Sequence, residues 1–145
     1  MKSHVSHKET FPQIGLVLGY FAITITGRDG DIAYALQIHK ASKLLNDRCG
    51  DAFTTGRHLA LSSLFIYHLT TPIGNTAEHL YAAIDESLIS GDKHLMLSCI
   101  GSVATIKLFS GENVGEVDAY CSTAPEDLGD WAKDLRSGAW IVGCR

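Results

Sequence analysis

Apolar residues recur with a helical period in seven successive segments of this chain, separated by short polar or glycine-bearing breaks. Ile14, Val17, Leu18, Phe21 and Ile25 fall at i, i+3, i+4, i+7 and i+11, one face of a 3.6-residue helix. The β-branched run over residues 22–26 also suits a strand, and Gly27 stops the element in either reading. Asp29-Gly30-Asp31 then makes a turn in which Asp31 caps a second helix, with Tyr34, Ile38, Ala41 and Leu45 as its expected buried face. The polar cluster at residues 46–50 ends it. Asp51 caps a third helix, striped by Leu61, Leu64, Phe65 and Leu69 and closed by Thr71-Pro72.

Between Gly74 and Gly91 the stripe Ala77, Leu80, Tyr81, Ile84, Leu88 describes a fourth helix, with Asn75 or Thr76 placed to cap it and Gly91 suited to a left-handed end. Asp92 restarts the pattern, and Met96, Cys99, Ile100, Val103 and Ile106 form a fifth apolar face before the turn at Gly111. A sixth helix runs through Val117, Tyr120, Cys121 and Ala124. Pro125, Glu126 and Asp127 suit the first turn of a seventh, carried by Leu128, Trp131, Leu135, Ala139 and Val142.

Odd-numbered helices thus begin near residues 14, 52, 93 and 126, a recurrence of roughly 33 to 41 residues that lies within the range of helical repeats. The pattern predicts an all-α fold of about seven helices, arranged as antiparallel pairs in a TPR-like α-solenoid. Helices this short need neighbours to cover their apolar stripes. Residues 1–10 read as a loose leader and 11–145 as the helical-repeat module. Its last residues carry no polar cap, so it is expected to be a fragment of a longer array.

Composition narrows the partners. With 145 residues, 46% apolar, 19% charged and 3 Pro, the chain can bury a core and is not disordered. A net charge of -4 gives no field to concentrate nucleic-acid phosphates. The longest apolar stretch, residues 14–26, is too short to cross a membrane. Lys2 and Lys8 imitate the start of a signal peptide, but no small-residue cleavage site follows. Cys49, Cys99, Cys121 and Cys144 contain no Cys-x-x-Cys pair and read as reduced thiols of a cytoplasmic protein.

Candidate chemistry is sparse, and each candidate has a structural explanation. Of seven histidines only His4 and His7 are closely spaced, in the leader, where no zinc site can be preorganised. His58, His68, His79 and His94 fall in helices, and His68 reads as a hydrogen-bonded boundary residue. Asp29-Gly30-Asp31 resembles a calcium loop only until Ala35 and His39, where further oxygen ligands should stand. Gly15 and Gly19 match no phosphate-binding motif and are expected to permit close helix packing. Ser102, beside Gly101 in a helix, lacks the strained turn of an activated nucleophile. Cys99 and Cys121 read as small core residues; Cys49 beside Arg48 is a more accessible thiol, its cationic neighbour offset by Asp47 and Asp51. Asp85 with Glu86, and Glu126 with Asp127, are solvated faces. No catalytic, cofactor-binding or metal-binding residue is assigned.

Several local features occur together: Gly30-Asp31 opening a helix, a helix pair before Pro72, and a helix ending in Ser90-Gly91-Asp92, followed by Lys93-His94-Leu95. Leu108-Phe109-Ser110-Gly111 then precedes an acidic helix with Cys121, Ala124-Pro125-Glu126 and Asp130-Trp131. On these the chain, over nearly all of residues 11–145, resembles the helical-repeat region of large multidomain fungal-type hybrid sensor histidine kinases. That family also carries serine/threonine-kinase-like, ATPase-like, GAF, histidine-kinase and receiver domains. The resemblance implies a non-catalytic scaffold or relay segment between ATPase-like and sensor domains, with those flanking domains as partners. Asp92 and Pro125 match the family pattern only as helix-start residues, and none of its catalytic motifs lies inside the matching region. The alternatives are a free-standing adaptor that binds a protein or peptide and, as a third class, a small helical enzyme.

Overall fold

The computed structural model describes residues 11–123, and its regular structure is helical, with no strand among the described residues. Six α-helices follow one another: α1 (Gln13–Asp29), α2 (Ile32–Cys49), α3 (Ala52–Phe65), α4 (Ala77–Ser90), α5 (Lys93–Phe109) and α6 (Val114–Ser122). Two short 3₁₀ turns, Tyr67–Leu69 and Ile73–Thr76, join α3 to α4, so α3 itself ends before the expected Thr71-Pro72 stop. The leader at residues 1–10 and the expected seventh helix lie outside the described residues.

Three helices start at an aspartate cap and a fourth at an asparagine. Asp31 accepts from the Tyr34 N–H at 3.0 Å, Asp92 from Leu95 at 3.1 Å and Asn113 from Gly115 at 2.7 Å. Asp51 does more: its carboxylate accepts from the Thr54 N–H at 2.8 Å while Thr54 Oγ1 accepts from the Asp51 N–H at 2.9 Å, a reciprocal capping box. Each such cap contributes about 1 kcal/mol. Thr76 precedes α4 without a side-chain cap; its hydroxyl instead donates to the Ile73 carbonyl at 2.6 Å.

The strand alternative for residues 22–26 is not realised. Thr24 and Thr26 fit the helix by donating to the carbonyls four residues back, at 2.9 and 3.1 Å. Nor does Gly27 end α1. A glycine weakens a helix without stopping it, and the chain turns at Gly30, where the backbone becomes left-handed (φ 67°). Cys49 is correspondingly the last residue of α2 rather than part of a loop.

α1 and α2 pack as an antiparallel hairpin: Gly15 lies against Asn46, and Gly19 against Ser42. α3 and α4 form a second pair, α4 packs on α5, and α6 on α5. The apolar interior is built around α5. Met96, Leu97, Ile100 and Ala104 cluster with Val117 and Cys121 of α6, while Cys99, Val103 and Ile106 cluster with Leu80 and Ala83 of α4 and Ala60 of α3. All five residues of the expected α5 stripe are buried.

The expected faces of α1, α2 and α3 are displaced. In α1 the buried positions are Gly15, Leu16, Gly19, Ala22 and Ile25, whereas Ile14, Val17 and Phe21 face solvent. In α2 the buried stripe is Ala35, His39, Ser42 and Asn46, each one residue after an expected position, a rotation of about 100°. In α3 Phe65 is exposed and Leu61 and Leu64 are half-buried, as is Leu69 in the 3₁₀ turn beyond it, while Thr54, His58, Ser62 and Ser63 are buried. The physical reason is backbone proximity. An ideal Cβ on Gly15 would lie 2.7 Å from the Asn46 nitrogen, so this hairpin packs through its smallest residues and turns bulkier ones outward. The packing role expected of Gly15 and Gly19 is present in full.

Candidate functional site

The polar seam inside the α1–α2–α3 junction gathers the most chemically capable side chains. The rotation of α2 brings His39, Ser42 and Asn46 inward, and α3 contributes His58. Ser42 is fully buried, its Oγ 2.7 Å from the Gly15 carbonyl and 2.8 Å from His58 Nε2. The His39 and His58 rings stack with centroids 5.5 Å apart and planes 9° from parallel. The Tyr67 ring meets His39 edge-on at 5.3 Å and stacks on His79 of α4 at 4.2 Å, extending a row of four aromatic rings from α2 to α4.

A serine 2.8 Å from an imidazole invites comparison with a nucleophile and its general base. The proton count argues otherwise. Ser42 Oγ carries one hydrogen, which it donates to the Gly15 carbonyl, so His58 Nε2 meets the hydroxyl as a donor. A base must accept there. Burial, reinforced by the neighbouring His39, lowers the His58 pKa to about 4, and burial with nearby Lys43 lowers that of His39, so both rings are neutral at pH 7. Neither ring nitrogen of His39 has a hydrogen-bond partner among the described residues, and the same holds for Asn46 Oδ1. The arrangement can hold helices together by stacking and one relayed hydrogen bond.

The other residues singled out in the sequence lie apart from this seam. His68 and His94 are exposed, so His68 is no boundary residue. Cys99 and Cys121 are buried in the α5 clusters, and burial pushes the Cys99 thiol up to about 12, an inert form. Cys49 is half-buried. Ser102 Oγ donates to the Ser98 carbonyl at 2.7 Å within α5. Asp29 pairs with Arg28 at 2.7 Å and Asp31 caps α2, so the acidic turn is committed to the helix ends. Asp85 is exposed and Glu86 half-buried. His4, His7, Glu126, Asp127 and Cys144 lie outside the described residues. Among the described residues no three His, Cys, Asp or Glu side chains converge in a way that could hold a metal ion. His39 and Ser42 were missed as site residues because they were not read as members of a buried face. Their signal was the spacing of Ala35, His39, Ser42 and Asn46 opposite two glycines four residues apart in α1.

Two surfaces complete the inventory. An open apolar groove of about 250 Å³ runs between Tyr81, Ile84, Leu88, Met96, Ile100 and Tyr120. On α1, Ile14, Val17 and Phe21 project outward at 45%, 61% and 46% exposure with no charged residue between Gln13 and Gly27. No helix among the described residues is long and apolar enough to cross a membrane.

No protein-family model, curated protein or solved structure matches this chain.

Proposed function

We propose that this chain is a non-catalytic helical scaffold, a TPR-like piece of a signal-transduction kinase of the hybrid sensor type, working in the cytoplasm between ATPase-like and sensor domains. The reading is carried by the outer face of α1. Three large apolar side chains at helical spacing stand in solvent there on a helix without charge from Gln13 to Gly27. A face of that kind fits another helix with an uncharged apolar stripe, and the occupant we assign is a helix of the adjoining repeat in the parent chain. Stacked pairs of this sort pass motion between the domains they join. The kinase setting rests on the resemblance in the sequence.

Reading the open frame outward on both sides of the coding segment tests the setting. ATPase-like or kinase-like motifs upstream and sensor-kinase motifs downstream are expected; stop codons close to both ends would leave the free-standing adaptor. Calorimetric titration of this chain with ATP should show no saturable heat, and micromolar binding would sink the scaffold reading.

A further inference from the structure

The stacked pair His39–His58 has a property that the scaffold reading does not use. Both rings are more than nine-tenths buried, at 6% and 2% exposure, and they sit at the junction between the α1–α2 hairpin and the rest of the molecule. Around them the charged and titratable neighbours are few. α2 supplies Lys43 and Asp47, already paired with each other at 2.9 Å. The turn after α3 supplies Tyr67, and behind it stands His79 of α4. From α1 the approaching groups are the Gly15 carbonyl, bound by Ser42, and the Gly19 backbone, neither of them charged. The Asp47 carboxylate favours charge on His58 only from a distance, being engaged by Lys43 and hydrogen-bonded to neither ring, and a proton on either ring would face the other ring and the Lys43 ammonium.

From this geometry we propose that the His39–His58 stack is an acid-operated latch: two neutral rings hold the α1–α2 hairpin against α3, and protonation releases the hairpin while α3–α6 stays folded. The proton comes from bulk water and goes to an unpartnered lone pair of His39, or to His58 once the seam loosens. Hydration of the cation is available only in the open state, so acid shifts the population toward it. The hairpin can part alone because neither apolar cluster around α5 contains a residue of α1 or α2. The lowered pKa values of both rings agree in direction with this coupling.

Hydrogen exchange read by mass spectrometry on the whole chain, at pH 7.5 and 5.0 and corrected for the chemical rate, tests the latch. Opening of α1–α2 amides should rise on the order of tenfold or more at the lower pH, with α4–α5 protection unchanged. His39→Leu, and separately His58→Gln, which keeps a donor toward Ser42, should each reduce that dependence, and the double variant should flatten it. Should neither variant fold, the imidazole Cε1 proton shifts of the unmodified chain decide. Both rings titrating like solvated histidines would overturn the proposal. So would equal acid loosening of α1–α2 and α4–α5, or a rise of undiminished size in a folded variant.

Discussion

The α1–α2 hairpin and the α3–α6 body are both helical and antiparallel, yet they are held together by different physics. Around α5 the buried side chains are Leu, Ile, Val, Met and Cys with three alanines, Ala60, Ala83 and Ala104, and the contact is hydrophobic area in the ordinary sense. In the hairpin the buried set is Gly15, Gly19, Ala22, Ala35, His39, Ser42 and Asn46, with Leu16 and Ile25 at the margins. Its cohesion comes from backbone proximity, which brings many atoms into dispersion contact and lets Ser42 reach a main-chain carbonyl. Helical periodicity alone does not tell which chemistry a helix pair uses. The size of the residues on each face does.

The sharpest way to break this contrast is to put a charge in the body. Val103 is fully buried, and Val103→Asp should cost more than about 4 kcal/mol and abolish the far-UV circular dichroism of the whole chain. Survival of the fold would show that the α5 clusters are not the main source of stability. Acid comes next, and it acts on the hairpin side. His58 is held at about 4 when folded against an ordinary value of 6.5. Stability is therefore complete above pH 6.5 and falls as the pH drops through 6.5 toward 4, by about 3 kcal/mol from this one ring. Urea titrations across that window should show the loss in wild type and a smaller one in His58→Gln.

Two alanine substitutions then sharpen the contrast within α1. Gly15→Ala forces a methyl group against the Asn46 backbone and should cost about 1–3 kcal/mol, whereas Gly27→Ala meets open space and should stabilise by up to about 1 kcal/mol. Equal effects in thermal melts would mean that the hairpin is not held by close approach. The smallest effect belongs to the outer face. Val17→Asp should change stability by no more than about 0.5 kcal/mol, although Val17 is part of the most regular apolar stripe in the sequence. Substantial destabilisation of the isolated chain would show that this face is covered by the chain itself.

The helices were legible to different degrees, and the same contrast explains why. Acidic caps at Asp31, Asp51 and Asp92 and the left-handed Gly91 announce element boundaries through local chemistry, independent of what each helix packs against. The α5 stripe was legible as well, because a central helix is buried on nearly every side and any apolar residue there is a core residue. The faces of α1 and α2 were not. Ranking positions by hydrophobicity selects Ile14, Val17 and Phe21, while packing selected the glycines and the short polar residues opposite them. Ser42 and His39 escaped notice for that reason, since a serine and a histidine on a helix ordinarily mean a solvated surface.

Cys99 has a practical corollary. With its sulfur enclosed by α3, α4 and α5 and its ionisation suppressed to about 12, alkylating reagents and mild oxidants cannot reach a thiolate there while the body stays intact. Labelling of Cys99 would therefore keep time with global opening, and half-buried Cys49 beside the hairpin's end gives a built-in second clock running at its own rate.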